Sequence, residues 1–113
     1  MHEHKKQHPA LAAGRWHTLT FAEQLGNIGS EVDRALRAGE RDDEPGREGA
    51  LQRTLELFDL TTADQRWRGR CREVLRAREV VCDFFYGDNN YHSTADFLSA
   101  YFLDFAVAAR RNR

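Results

Sequence analysis

The sequence predicts an all-α protein, a four-helix up-down-up-down antiparallel bundle with a flexible N-terminal arm. Three observations predict it. Apolar residues recur at spacings of three and four in four stretches, the repeat of one helical face. Three stretches open on a Ser or Thr followed three residues later by Glu, Gln or Asp, the signature of a helix N-terminus. No run alternates with period two between turn signals, so no sheet is expected. Helices of similar length joined by short turns favour antiparallel neighbours.

Residues 1–14 are polar, His-rich and without period, and are expected to form the arm; residues 15–113 are expected to form a single helical domain. Order should begin near Trp16, whose indole is too large to leave in water. Thr20-Phe21-Ala22-Glu23 reads as a capping box, and Phe21, Leu25, Ile28, Val32, Ala35 and Leu36 form one stripe behind it. Ala38-Gly39 supplies a stop, since glycine accepts a left-handed backbone, so the first helix is predicted over 20–38. A charged turn with Asp42, Asp43, Glu44 and Pro45 suits the start of a second helix. That helix runs to about Leu60 and buries Leu51, Leu55 and Phe58, with Leu57 beside them. Thr62-Ala63-Asp64-Gln65 is expected to open a third helix, whose stripe is Trp67, Cys71, Val74, Leu75, Val81, Cys82 and Phe85. Tyr86-Gly87 ends it, and Gly87-Asp88-Asn89-Asn90 is turn chemistry tolerant of positive φ. Ser93-Thr94-Ala95-Asp96 opens the last helix, carrying Phe97, Leu98, Tyr101, Phe102, Phe105, Ala108 and Ala109.

Composition narrows the function. The 113 residues include 17 Lys plus Arg, 18 Asp plus Glu and 5 His, for a formal charge of −1. With 41% apolar and 31% charged residues the chain can build a core. Two cysteines exclude a disulfide scaffold, and no apolar run approaches the roughly 18 residues of a membrane span. The opening residues lack the apolar stretch of a signal peptide, which predicts a cytoplasmic protein with no membrane partner. Phosphate-binding Gly-rich loops, HExxH and GxSxG are absent from the sequence. Cys71 and Cys82 stand eleven residues apart on one predicted helix, about 16 Å, and read as small core residues. His2, His4 and His8 lack the ordered surroundings of a metal site, so no cofactor or metal is expected.

Three groups of residues do not fit a bland bundle. Arg78 falls within the apolar stripe of the third helix, where an unpaired guanidinium would be costly. Glu31 and Asp104 are its candidate partners, either as a structural ion pair or as a polar site. Ala77, Val80 and Phe84 on the third helix, with Ala100, Leu103 and Val107 on the fourth, form a second apolar strip. Left outward it would mark an oligomer interface; covered within the chain it would be core. The small face Ala22, Gly26, Gly29 or Ser30 of the first helix would admit another helix closely. Arg66, Arg68, Arg70, Arg72 and Arg76, with Arg110 and Arg111, are candidate nucleic-acid contacts, because Arg pairs bidentately with phosphate and Trp67 offers a stacking face. Arg68, Arg72 and Arg76 share a side. The alternative is a solvated face, Lys occurring only twice in an Arg-rich chain.

The segments Glu23-Gln24-Leu25-Gly26-Asn27-Ile28-Gly29-Ser30-Glu31-Val32, Leu55-Glu56-Leu57-Phe58-Asp59-Leu60-Thr61 and Arg78-Glu79-Val80-Val81-Cys82-Asp83-Phe84-Phe85-Tyr86-Gly87 resemble a small group of bacterial helical proteins, over about residues 16–110. In size and helical layout the chain is also similar to the four-helix bundles of ribosomal-RNA intervening-sequence proteins and of Avd accessory proteins of diversity-generating retroelements. That likeness implies a ring-forming oligomer that engages a reverse transcriptase and nucleic acid through basic surface. Arg78-Glu79-Val80-Val81-Cys82-Asp83 also resembles the Arg-to-His motif of HEPN ribonucleases, with Asp83 where the His would stand; His92 is then the available imidazole. The leading expectation is a non-catalytic, self-associating accessory or adaptor protein whose partner is RNA, DNA or a nucleic-acid-processing protein. A HEPN-like ribonuclease with a degenerate motif is the alternative.

Overall fold

The computed structural model describes residues 14–111. The expected arm lies outside the described residues apart from Gly14, and so does Arg113. Four long helices follow one another: α1 (Phe21–Glu40), α2 (Glu44–Ala63), α3 (Cys71–Tyr86) and α4 (Ala95–Arg111). A 3-10 segment, Gln65–Arg70, joins α2 to α3. Among the described residues there is no strand, as the absence of period-two runs predicts.

Local chemistry sets most boundaries. Thr20 caps α1 as expected: its hydroxyl accepts from the Glu23 amide at 3.1 Å, and Glu23 accepts from the Thr20 amide at 2.8 Å. The helix runs past Gly39, and the left-handed residue that turns the chain is Asp42, at φ 58°. Asp43 then caps α2 by accepting from the Gly46 amide at 3.0 Å, with Pro45 in the first turn where its missing N–H costs nothing.

The expected start of the third helix is misplaced. Thr62 stays inside α2, its hydroxyl donating to the Phe58 carbonyl at 2.9 Å. Asp64 is the cap instead, and what it opens is the 3-10 segment; α3 begins only at Cys71. At the other end Gly87 closes α3, and Asn89 takes the positive φ of 54° that the turn needs. Thr94 caps α4 by accepting from the Phe97 amide at 3.0 Å.

The core gathers Trp16, Phe21, Leu25, Ile28, Val32, Leu57, Phe58, Val74, Ala77, Val81, Leu98 and Phe102. Leu51 joins Ala35 and Ala50 in a smaller cluster, and Leu55 is half-buried. The α1 helix packs closely along both α2 and α4. Its approach to α4 depends on glycine: a Cβ on Gly29 would collide with Phe102 Cβ, and one on Gly26 would lie 3.1 Å from Ala106 Cα. The small face read from the sequence is therefore filled by α4 of the same chain. By contrast α3 and α4 stand apart, with a cleft of about 230 Å³ between them.

Candidate functional site

The rotation of α3 about its axis decides what its side chains can do. Its buried residues are Val74, Ala77 and Val81. The core-facing line is thus turned by about 70° from the expected stripe, at 100° per residue. Leu75 consequently faces outward at 47% exposure, and Cys71 and Cys82 are half-buried free thiols. The second apolar strip is also corrected: Ala77 is buried, while Val80 and Phe84 lean against the core. On α4 the strip stays outward, with Leu103 exposed at 55%, Ala100 exposed and Val107 half-buried.

The same rotation moves Arg78 from the middle of the stripe to its edge. Its side chain is 37% exposed, and its Nε lies 3.6 Å from Asp59 Oδ1 without a hydrogen bond. Neither expected partner meets it. Glu31 is largely buried, but it pairs with Arg34 at 2.8 Å and Arg53 at 3.0 Å, tying α1 to α2. Asp104 is exposed, because it lies on the side of α4 away from Leu98 and Phe102. The residues of the HEPN-like comparison are likewise dispersed among other roles. Asp83 accepts from the backbone amides of Asn90 at 2.8 Å and Tyr91 at 3.0 Å, holding the α3–α4 turn. His92 is exposed within that turn at φ 54°.

The arginines divide into engaged and available groups. Arg66 binds Asp64 through two bonds, Nη2 to Oδ2 at 2.7 Å and Nε to Oδ1 at 3.0 Å. It also donates to the Leu19 carbonyl at 2.7 Å and lies over the Trp67 ring at 4.4 Å. Arg70 is held by Glu73 at 3.0 Å and lies 3.8 Å above the Phe21 ring. Arg66, Arg68 and Arg70 all fall in the 3-10 segment, so they do not continue the surface of α3. Arg68 and Arg72 are exposed and make no ion pair among the described residues; Arg76 has only the Tyr91 ring, at 5.9 Å. Arg110 and Arg111 are exposed in the last turn of α4, where cations oppose the negative end of the helix dipole.

One polar cluster escaped the sequence reading. Gln24 is fully buried, and its amide is held at three points: Nε2 donates to the Trp16 carbonyl at 2.9 Å and to Asp64 Oδ2 at 3.1 Å, while Oε1 accepts from Trp67 Nε1 at 2.9 Å. Trp16 Nε1 in turn donates to Thr61 Oγ1 at 3.0 Å. The Arg66 hydrogen bonds hold the Asp64 carboxyl well below the ordinary value of 3.8, at about 2, against the opposing effect of burial. A signal was present, since Gln24 lies three residues after Phe21 and four before Ile28, a polar group on an apolar stripe. These bonds fasten the entry to α1 onto the α2–α3 connection. Among the described residues no group of His, Cys, Asp and Glu is placed to hold a metal, and no helix is long and apolar enough to cross a membrane. Compared with protein-family models, with curated proteins and with solved structures, the chain matches none.

Proposed function

We propose that the chain is a non-catalytic, self-associating helical adaptor of the cytoplasm, with nucleic acid or a nucleic-acid enzyme as its partner. One observation carries the reading. Every large apolar side chain exposed among the described residues, namely Leu75, Tyr86, Tyr91, Phe97 and Leu103, lies on α3, α4 or the turn between them. The α1 and α2 helices contribute none. Apolar exposure gathered on one half of a domain marks an interaction surface, whereas the same residues scattered singly would not. The proposed course is up-down-up-down, and the short connection at residues 41–43 supports it where α1 and α2 lie side by side.

Self-association is assigned to the outward side of α4, through Leu103 and Ala100 with Val107 beside them. The Ala77, Val80 and Phe84 flank is excluded because it serves the core. Nucleic-acid contact is assigned to Arg68, Arg72 and Arg76, with Arg110 and Arg111 in support. Mass measurement by light scattering at micromolar concentration tests the assembly. A multimer that Leu103→Glu converts to monomer is expected, and a strict monomer for the unaltered protein rejects the reading.

A further inference from the structure

The cleft between α3 and α4 is a different feature from the outward side of α4. Its floor is Ala77, Val81, Leu98 and Phe102, all buried, and Val80, Phe97 and Tyr101 rise around it. Every lining residue but one is uncharged. The exception is Arg76, at the rim. Its guanidinium has no carboxylate partner among the described residues and faces only the Tyr91 ring. The acids nearby are already engaged: Glu73 by Arg70 at 3.0 Å, Asp83 by the backbone of the turn, and Glu79 beside the Tyr91 hydroxyl.

We infer that this cleft is a binding site for a free amphipathic monoanion, an apolar chain or ring ending in one carboxylate. Three properties lead there. The walls are apolar apart from the Tyr101 hydroxyl, so the buried part of the ligand must be mostly hydrocarbon. The single cation at the mouth fixes the sign and the position of the head group, since a guanidinium binds a carboxylate through two parallel hydrogen bonds. The volume sets the size. An apolar cavity of about 150 Å³ admits benzene, so 230 Å³ suits a saturated chain of about eight carbons or a fused pair of rings. Phe97, 54% exposed and stacked on Tyr101 with centroids 6.4 Å apart, lies over the cleft and would lose its water contact when the guest enters.

The site is independent of the proposed assembly, and the test separates them. Octanoate is titrated into the labelled protein and followed by amide and methyl shifts, with octanol as the neutral control. Saturable shifts confined to Ala77, Val80, Val81, Leu98 and Tyr101 are expected, with octanoate binding at least tenfold tighter than octanol. Arg76→Gln should remove that preference while leaving octanol binding unchanged, and Phe97→Ala should weaken both ligands. Neither Arg68→Ala/Arg72→Ala nor Leu103→Glu should alter octanoate binding, whatever they do to nucleic-acid affinity or mass. No shift at millimolar octanoate, shifts outside the cleft, or equal affinity for acid and alcohol would overturn the inference. So would a dimer that Phe97→Glu dissociates, because a second copy would then fill the cleft.

Discussion

Asp64 carries the clearest consequence of a single side chain. Its carboxylate receives the Arg66 guanidinium in two bonds, the Arg66 amide in a third and Gln24 in a fourth, which places its folded-state pKa at about 2 against an ordinary 3.8. A depressed folded pKa means that the stabilisation is complete above about pH 4 and is lost as pH falls toward 2. Its size is on the order of 1–2 kcal/mol once the partial exposure of Arg66 is allowed for. Urea unfolding of the wild type and of Asp64→Asn should therefore differ by a constant amount from pH 7 to pH 5, and converge below pH 3. A gap that persists at pH 2 would mean the ion pair is not its source. Arg78 gives the opposite case. Its contact with Asp59 is long, and Asp59 is mostly exposed, so Arg78→Met should change unfolding free energy by no more than about 0.5 kcal/mol. A buried ion pair, as the sequence suggested, would make the same substitution cost about 3–5 kcal/mol.

At the scale of the helix, the contact of α1 with α4 depends on the absence of two side chains. Gly29→Ala should destabilise by about 1–3 kcal/mol, since its methyl would strike Phe102 in a packed core. Gly49→Ala has no such neighbour, the nearest atom being the tip of Arg53 at 3.5 Å, and should instead stabilise α2 by about 0.5–1 kcal/mol. Thermal unfolding of the two variants checks both signs. The elements that the sequence made legible are those whose signals are local. Thr20 with Glu23, Asp43 before Pro45, and Gly87 are each read and used within one turn of the chain. The face of α3 was not legible, because Cys71, Leu75 and Cys82 on one flank rival Ala77 and Phe84 on the other. What selects between them is the position of α3 against α1 and α2, a tertiary fact that periodicity does not contain. The same loss affected the candidate sites: the displaced register put Arg78 in the core and Ala77 on the surface. Asp64 in turn looked like part of a helix opening at Thr62, when its partners Gln24 and Arg66 lie 40 residues before it and 2 after.

For the whole molecule the charge balance restricts how nucleic acid can bind. A formal charge of −1 supplies no general attraction, so any affinity must come from a local group of cations. Arg66 and Arg70 are consumed by Asp64 and Glu73, which leaves Arg72 and Arg76 on α3, and Arg68 in the 3-10 segment before it, as exposed cations without carboxylate partners among the described residues. Three phosphate contacts predict that log K falls with log salt at a slope of about −2 for single strands and about −3 for duplex. Fluorescence anisotropy with labelled RNA, measured over about 50–200 mM salt, should give that slope per protomer. Arg68→Ala/Arg72→Ala/Arg76→Ala should reduce its magnitude by about that amount, leaving only what Arg110 and Arg111 supply. Arg66→Ala should act differently, lowering stability through the loss of its Asp64 and Leu19 bonds while leaving the slope in place. The proposed assembly would multiply the effect, because an oligomer that presents several such groups to one strand gains by linkage what each lacks alone. Leu103→Glu, which removes no cation, should then weaken RNA binding by about 100-fold, the lower bound for linked sites. If binding is unchanged in the monomeric variant, the arginines act alone and self-association serves some other end.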